Sequence, residues 1–141
     1  MVRWMAIGMV LASVAGCATY APRSVVDVGD RVQVVDDKAS KRFDLVLRNT
    51  SGKAWCIEED SWPSSLGYLH FHETDVWVDV DGRRYPIASR NLGYCPGDCD
   101  LRLPAGESLR GSIPYSEFAF PASVEQSEKH LHLSIGAFVC R

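Results

Sequence analysis

The chain has 141 residues, with 15 lysines and arginines against 18 aspartates and glutamates, which gives a formal net charge of −3. The acidic balance, with no basic cluster larger than Arg83-Arg84 and residues 38–42, argues against a nucleic-acid partner. The hydrophobic share of 46% excludes an intrinsically disordered chain, and the length fits one domain.

The first 16 residues carry a single charge, on Arg3, ahead of an apolar run from Met5 to Val14. A basic start, a short apolar stretch and small residues at the end are typical of a secretory signal peptide, and the run is too short to span a bilayer comfortably. We therefore predict that residues 1–16 are a signal peptide. The alternatives are an ordinary signal with a chance cysteine after it, or a buried amphiphilic helix.

The end of this segment, Ser13-Val14-Ala15-Gly16-Cys17, resembles the lipobox of bacterial lipoproteins. The resemblance implies cleavage before Cys17, a diacylglyceryl group on its thiol and a further acyl chain, such as palmitate, on its new amino group. Several acyl chains on one residue suffice for stable attachment to a lipid bilayer. The residue after the lipidated cysteine is Ala18 rather than an aspartate, which in the same family implies sorting to the outer membrane. The protein would then face the periplasm or, alternatively, the cell surface. Residues 17–23 are then the lipidated terminus and a short tether.

The remaining residues, 24–141, show a period of two rather than 3.6, which predicts strands. Apolar residues alternate with other residues around Val32, over 43–48 and 76–80, and again near 109–113 and 131–135. Asp81-Gly82 predicts a hairpin that returns through residues 83–88, and Pro86 predicts an edge position or a bulge for that strand. Residues 58–67 fit no strand.

These elements predict an all-β domain, an antiparallel immunoglobulin-like sandwich of seven to eight strands without a helix of more than ten residues. The stretch FDLVLRNTSGK, residues 43–53, resembles the strand and turn at the start of small immunoglobulin-like envelope proteins and of some bacterial proteinase-inhibitor domains. That resemblance implies a fold rather than an activity, since such folds carry many functions.

Four cysteines follow the lipobox, at Cys56, Cys95, Cys99 and Cys140. An even number in an exported chain predicts two disulfides, with three possible connectivities. Cys95 and Cys99 flank the turn sequence Pro-Gly-Asp, which favours a local bridge there and leaves Cys56 to pair with Cys140. Closing that long loop is worth about 4–5 kcal/mol in the loop-entropy model. The alternative joins Cys56 to one member of the close pair and Cys140 to the other.

All four histidines lie in two His-x-His pairs, His70-Phe71-His72 and His130-Leu131-His132. Residues two apart share one face of a strand, so four imidazoles would meet around copper or zinc if the two strands were neighbours. In the simpler alternative, the apolar residues within and beside each pair face the core, and the histidines face water as ordinary polar side chains.

Trp55 and Trp62 flank the acidic residues 58–60. If Cys56 faced the core, Trp55 would be exposed on the opposite face of its strand, where an aromatic side chain can anchor a protein interface. In the alternative, both tryptophans close off the core of the sandwich.

No catalytic motif accompanies these features: the chain lacks a Gly-x-Ser-x-Gly elbow, a His-Glu-x-x-His helix and a phosphate loop. Cysteines held in disulfides offer no thiol nucleophile. We therefore predict a non-enzymatic protein-binding lipoprotein without a cofactor, acting as an inhibitor, an immunity protein or an envelope accessory protein. Its partner would be an envelope or secreted protein. The alternative function is periplasmic binding of copper or zinc through the two histidine pairs.

Overall fold

The computed structural model describes residues 24–58, 62–63, 76–88 and 100–140. The described strands are β1 (Val26–Asp27), β2 (Val32–Asp37), β3 (Arg42–Arg48), β4 (Trp55–Glu58), β5 (Val76–Val80), β6 (Arg83–Pro86), β7 (Asp100–Leu103), β8 (Ser108–Pro114), β9 (His130–Leu133) and β10 (Gly136–Val139). Short 3₁₀ turns lie at Gly29–Arg31, Tyr115–Glu117 and Ala122–Val124. Within the described ranges no helix has the length and apolar character needed to cross a bilayer.

The strands form three antiparallel sheets. Sheet I has the order β1-β10-β4-β7, sheet II the order β2-β3-β8, and sheet III the order β6-β5-β9. All three contribute side chains to one apolar cluster, including Leu45 from sheet II, Ile57 from sheet I and Val78 from sheet III. The chain is therefore an all-β antiparallel sandwich, as the sequence predicts.

The described residues alone contain ten strands, rather than the seven or eight that the sequence pattern predicts. The additional strands are short. β1 has only two residues, and β10 buries the neighbouring residues Ala137 and Phe138 instead of alternating them. Without alternation over four or more residues, periodicity gives no signal for a strand.

The β5–β6 hairpin forms where the sequence predicts it. Asp81 and Gly82 have φ values of 49° and 76°, the left-handed conformation that a two-residue hairpin turn requires and that Asp-Gly adopts readily. The turn places Val78 opposite Tyr85 and Trp77 opposite Pro86. Pro86 lies in β6, which is an edge strand within the described part of sheet III, so its missing N–H interrupts no ladder there.

Asn49 fixes the turn after β3. Its side chain is buried, and its Nδ2 donates to the carbonyl oxygens of Lys53 and Leu103 at 2.8 and 3.0 Å. Its Oδ1 accepts from the backbone N–H and the hydroxyl of Ser51 at 3.0 and 2.7 Å. Because every hydrogen-bonding position of this buried amide has a partner, the turn joins sheets I and II without the cost of an unsatisfied polar group.

A disulfide joins Cys56 of β4 to Cys140, directly after β10, with a Cα–Cα distance of 5.1 Å. Cys95 and Cys99 lie outside the described residues, so their predicted bridge stays a prediction. Trp55, next to Cys56, is buried, and the disulfide therefore lies on the opposite face of sheet I. The condition for an exposed Trp55, a Cys56 that faces the core, is therefore not met: alternation places the indole in the core and the sulfur outside it.

Candidate functional site

The outer face of sheet III gathers polar and aromatic side chains from all three of its strands. Alternation along β5 buries Val76, Val78 and Val80 and directs Trp77 and Asp79 to the other face. On that face, antiparallel register sets Trp77 between His132 of β9 and Pro86 of β6, and sets Asp79 between His130 and Arg84. The register of the three strands determines which side chains lie beside Trp77 and Asp79, because each residue lies next to its direct cross-strand partners.

Three of these side chains form a layered stack, called here the Arg84–Trp77–His132 stack. The imidazole of His132 lies parallel to the indole of Trp77, with centroids 4.8 Å apart and planes 12° apart. The guanidinium carbon of Arg84 lies 4.1 Å from the centroid of the same indole. A cation over the face of a tryptophan ring is attracted by the ring's quadrupole, which holds the guanidinium in place.

Asp79 fixes the two rings of the stack. Its Oδ2 accepts a hydrogen bond from Trp77 Nε1 at 3.3 Å and lies 2.9 Å from His132 Nε2. The side chains of His132 and Asp79 are 45% and 33% exposed, so the arrangement is open to a molecule on the surface. Among the residues that the structure describes, Arg84 makes no ion pair, although Asp79 is its direct cross-strand partner.

A cleft of about 580 Å³ adjoins the stack and is lined by Trp77, His132, Ser134, Asp27 and Asp30 among others. Asp27 accepts hydrogen bonds from the backbone N–H groups of Gly29 and Ile135, at 2.8 and 3.0 Å, and from the Ser134 hydroxyl at 2.9 Å. Partial burial of this carboxyl opposes ionisation, but the three hydrogen bonds outweigh it and lower the pKa of Asp27 below its ordinary value. The role of Asp27 is therefore structural: it connects the segments around Gly29 and Ile135 at the wall of the cleft.

A second polar cluster is buried where sheet II meets the segment before β9. Tyr115 donates its hydroxyl to the carboxylate of Asp36, and Lys129 Nζ lies 3.5 Å from the other oxygen of that carboxylate. The fully buried ammonium of Lys129 also donates to the carbonyl oxygens of Glu125 and Ser127, and it lies 4.5 Å from the centroid of the Tyr115 ring. Burial first, then the hydrogen bond and charge of Asp36, raise the pKa of Tyr115 well above its ordinary value.

The histidine pairs are placed only in part. His130 and His132 face solvent on β9, while Leu131 lies on the core face, as either interpretation of the pair requires. His70 and His72 lie outside the described residues, so the four-histidine metal site stays a prediction. In the part of the chain that is described, no three histidine, cysteine, aspartate or glutamate side chains come together to hold a metal ion.

Trp55 and Trp62 do not form an exposed interface. Trp55 is 7% exposed and Trp62 is 1% exposed, with Trp62 Nε1 donating to the carbonyl of Arg110 at 3.2 Å. Both indoles close off the core, which is the alternative that the sequence left open, and the exposure on which the interface hypothesis depended is absent. Of the three tryptophans that the structure describes, Trp77 is the half-buried one, and alternation in β5 already directs it away from the valines.

Sequence reasoning did not find Arg84 and Asp79 as neighbours of Trp77, nor Asp36, Tyr115 and Lys129 as a cluster. The signal for the first set was the Asp-Gly hairpin, which fixes Arg84 opposite Asp79 once the turn is a two-residue one. For the second set there was no local signal, because its three members come from segments far apart in the chain.

No protein-family model matches this chain, and no curated protein matches it either. Its function is therefore inferred from the residues of the N-terminal motif and from the chemistry of the exposed face of sheet III.

Proposed function

We propose that this protein is a lipid-anchored, non-enzymatic protein-binding module of the bacterial outer membrane, facing the periplasm, and that it binds its partner with the Arg84–Trp77–His132 stack. The observation that carries the proposal is the guanidinium of Arg84, held 4.1 Å from the Trp77 indole without an ion pair among the described residues. The partner is an envelope or secreted protein that presents a carboxylate to this guanidinium.

The chemistry of the stack suits a protein partner. Arginine and tryptophan are the residues that most often dominate the free energy of protein interfaces. A guanidinium already held by an aromatic ring loses little conformational entropy when it binds, and its planar N–H groups match a carboxylate in a two-point hydrogen-bonded pair. The stack is therefore prepared for an aspartate or glutamate side chain that approaches sheet III.

The same geometry disfavours a carbohydrate ligand. A sugar ring binds to a tryptophan by lying on a free face of the indole. Arg84 covers one face of Trp77 and His132 covers the other, at 4.1 and 4.8 Å. A protein side chain that binds Arg84 needs neither face to be free.

The arrangement of the cleft supports a non-enzymatic function. Ser134 and His132 both line the cleft, but the Ser134 hydroxyl donates to Asp27, and His132 Nε2 is engaged by Asp79. A nucleophilic serine needs an imidazole positioned to accept its proton. Here the proton of the hydroxyl is directed to a carboxylate of lowered pKa, which is a weak base.

Membrane attachment rests on Cys17 and the residues before it, and it is tested separately from binding. Cell fractionation followed by mass spectrometry of the N-terminus should find the wild-type chain in the outer membrane, beginning at an acylated Cys17. A Cys17→Ser variant should lose both the acyl groups and the membrane location. Recovery of a chain that begins at Met1, or of an unmodified Cys17, would contradict the anchor.

Partner binding is tested by crosslinking the full-length protein in cells, identifying what it captures, and measuring the affinity of the purified pair. Arg84→Ala should weaken that affinity at least about tenfold, and Arg84→Lys should weaken it nearly as much because an ammonium lacks the planar fork. Arg83→Ala is the matched control, because Arg83 is the neighbouring arginine of β6 and lies over Tyr85 instead, 5.3 Å from its centroid. Equal affinity of the wild type and Arg84→Ala would exclude the stack as the binding site.

A further inference from the structure

β2 offers a backbone edge to a further strand. Within the described residues, β2 pairs with β3 on one side and with no strand on the other. Its side chains do little to block the open edge, since Val34 and Val35 are 38% and 61% exposed. Unpaired edges are ordinarily protected by charged residues or proline at their centre, and β2 has neither there.

The hydrogen bonds of β3 show which residues of β2 point outward. Tyr115 N–H donates to the carbonyl of Lys41, and Asn49 N–H donates to the carbonyl of Glu107, so odd-numbered residues of β3 direct their backbone groups toward β8. Successive residues of a strand direct these groups to opposite sides. The even-numbered residues of β3 therefore bond to β2, and they do so through the odd-numbered residues of β2, which are their register partners.

The outward-directed residues of β2 are consequently Val32, Val34 and Asp36. The N–H of Val32 already donates to the carbonyl of Gly29. As far as the described residues extend, this leaves both backbone groups of Val34, both of Asp36 and the carbonyl of Val32 for another chain.

A second copy of β2 satisfies all of these groups except the Asp36 carbonyl when it runs antiparallel with its two-fold axis at Val34. Each Val34 then exchanges both backbone hydrogen bonds with Val34 of the other copy. Each Asp36 N–H donates to the Val32 carbonyl of the other copy. A register shifted by one residue would oppose outward-directed residues to inward-directed ones, so it forms no ladder.

Charge selects this register over the next permitted one. With the axis at Val34, Asp37, the last residue of β2 in one copy, comes beside Arg31 of the other, and this pair occurs twice. Arg31 lies in the 3₁₀ turn directly before β2, where its guanidinium carbon is 5.4 Å from the centroid of the Trp55 ring. With the axis at Val35, Arg31 lies opposite Ala39 and Asp37 opposite Gln33, and the two opposite-charge pairs are lost. Opposite charges directly across a strand pair stabilise it, and their absence removes that contribution.

The edge is also held in place. Asp36 is bound through its side chain to Tyr115 and Lys129, and Lys38 Nζ donates to the carbonyl of Gln126 at 2.9 Å. The carboxylate of Asp36 thus already has its partners, and covering the edge leaves no buried unpaired charge. A strand fixed in advance loses little backbone entropy when it pairs.

We propose that this protein forms a two-fold dimer in which two copies of β2 pair antiparallel about Val34 and join two sheets II into one continuous sheet. The dimer does not rest on the proposed function, because the Arg84–Trp77–His132 stack lies in sheet III.

The test is sedimentation equilibrium of the full-length protein in density-matched detergent over a range of concentrations. The wild type should show a monomer–dimer equilibrium. Val34→Pro removes an outward N–H without breaking the β2–β3 ladder and should raise the dissociation constant at least about tenfold. Val34→Lys should also raise the dissociation constant, because it places two like charges opposite each other at the two-fold axis. It replaces the proline variant in the test if that variant fails to fold. Val139→Lys, which adds the same charge at a valine of β10 that is 54% exposed, should leave the equilibrium unchanged.

Charge exchange tests the register. Asp37→Arg should weaken the dimer, and Arg31→Asp combined with Asp37→Arg should restore it, with circular dichroism confirming the fold of each variant. A wild type that stays monomeric throughout would overturn the proposal. So would a dimer that Val34→Pro and Val34→Lys leave intact, and a failure of the double exchange to restore the dimer would overturn this register.

Discussion

Two polar clusters of this protein combine the same chemical groups: an aspartate, an aromatic side chain that donates a hydrogen bond to it, and a cation over the aromatic ring. On the outer face of sheet III these are Asp79, Trp77 and Arg84, with the cation 4.1 Å from the ring centroid. Beneath sheet II they are Asp36, Tyr115 and Lys129, with the cation 4.5 Å from the ring centroid. The two clusters differ in exposure, since the Lys129 side chain is fully buried and Arg84 is exposed.

The difference in exposure separates their roles. In the buried cluster Tyr115 and Lys129 have only Asp36 and nearby carbonyls for partners, so the loss of an acceptor leaves a desolvated donor. In the exposed cluster water replaces any lost partner, so the same contacts contribute little to the free energy of unfolding. The exposed cluster is consequently free to serve binding, while the buried one fixes the fold beside β2.

The largest expected effect is that of removing the buried cation. Lys129→Ala should lower the free energy of unfolding by about 2–4 kcal/mol, because it removes a fully buried side chain and leaves Asp36, whose side chain is 20% exposed, with one partner fewer. Arg84→Ala, the corresponding change in the exposed cluster, should lower it by less than about 0.5 kcal/mol. Urea unfolding of both variants measures the contrast, and losses of similar size would show that exposure does not separate the clusters.

The next effect concerns the aromatic donors. Tyr115→Phe removes the hydroxyl that Asp36 accepts from and should cost about 1–3 kcal/mol, whereas Trp77→Phe, at the half-buried site, should cost less than about 1 kcal/mol.

The Tyr115 hydroxyl also gives the buried cluster a dependence on alkaline pH. Because its pKa is raised in the folded protein, its contribution is complete below about pH 10 and is lost as the pH rises through the folded pKa. Chemical unfolding between pH 8 and pH 11 should show the wild type losing more stability than Tyr115→Phe above about pH 10. If the free energies of unfolding of the wild type and Tyr115→Phe fell in parallel above about pH 10, the raised pKa of Tyr115 would be contradicted.

A smaller effect is expected from the acceptor of the exposed cluster. Asp79→Ala should release Trp77 and His132 from their common hydrogen-bond acceptor and loosen the support of Arg84. We expect affinity for the partner to fall about threefold to tenfold, with the free energy of unfolding changed by less than about 1 kcal/mol. Asp81→Asn, in the adjacent exposed turn, is the control for lost negative charge, because asparagine also adopts the left-handed conformation of this position readily. Unchanged affinity in Asp79→Ala would remove Asp79 as a positioning residue.

The sequence predicts those features that local periodicity determines. The two clusters show where such prediction ends, since it reaches part of the exposed cluster and none of the buried one. Alternation in β5 separates Trp77 from the valines, and Asp-Gly fixes the hairpin, so part of the exposed cluster is accessible to reasoning from sequence. The sequence does not predict which face of β4 carries Cys56. Alternation places Cys56 and Trp55 on opposite faces without indicating which of the two lies in the core. Asp36, Tyr115 and Lys129 meet only through the packing of distant segments, and no local pattern encodes that meeting.

The smallest expected effect involves Asp27, at the wall of the cleft beside the exposed cluster. Its pKa is lowered in the folded protein, so its contribution to stability is present above about pH 4 and is lost as the pH falls through the folded pKa. Asp27→Asn keeps an oxygen that accepts from the backbone N–H groups of Gly29 and Ile135 but does not titrate. At neutral pH the variant should be less stable by under about 1 kcal/mol. Between pH 5 and about pH 2 the wild type should lose stability faster than the variant, so the two unfolding free energies converge. If the gap between them instead stayed constant across that range, the hydrogen bonds of Asp27 would not depend on its charge, and the carboxylate would support the cleft only as a neutral acceptor does.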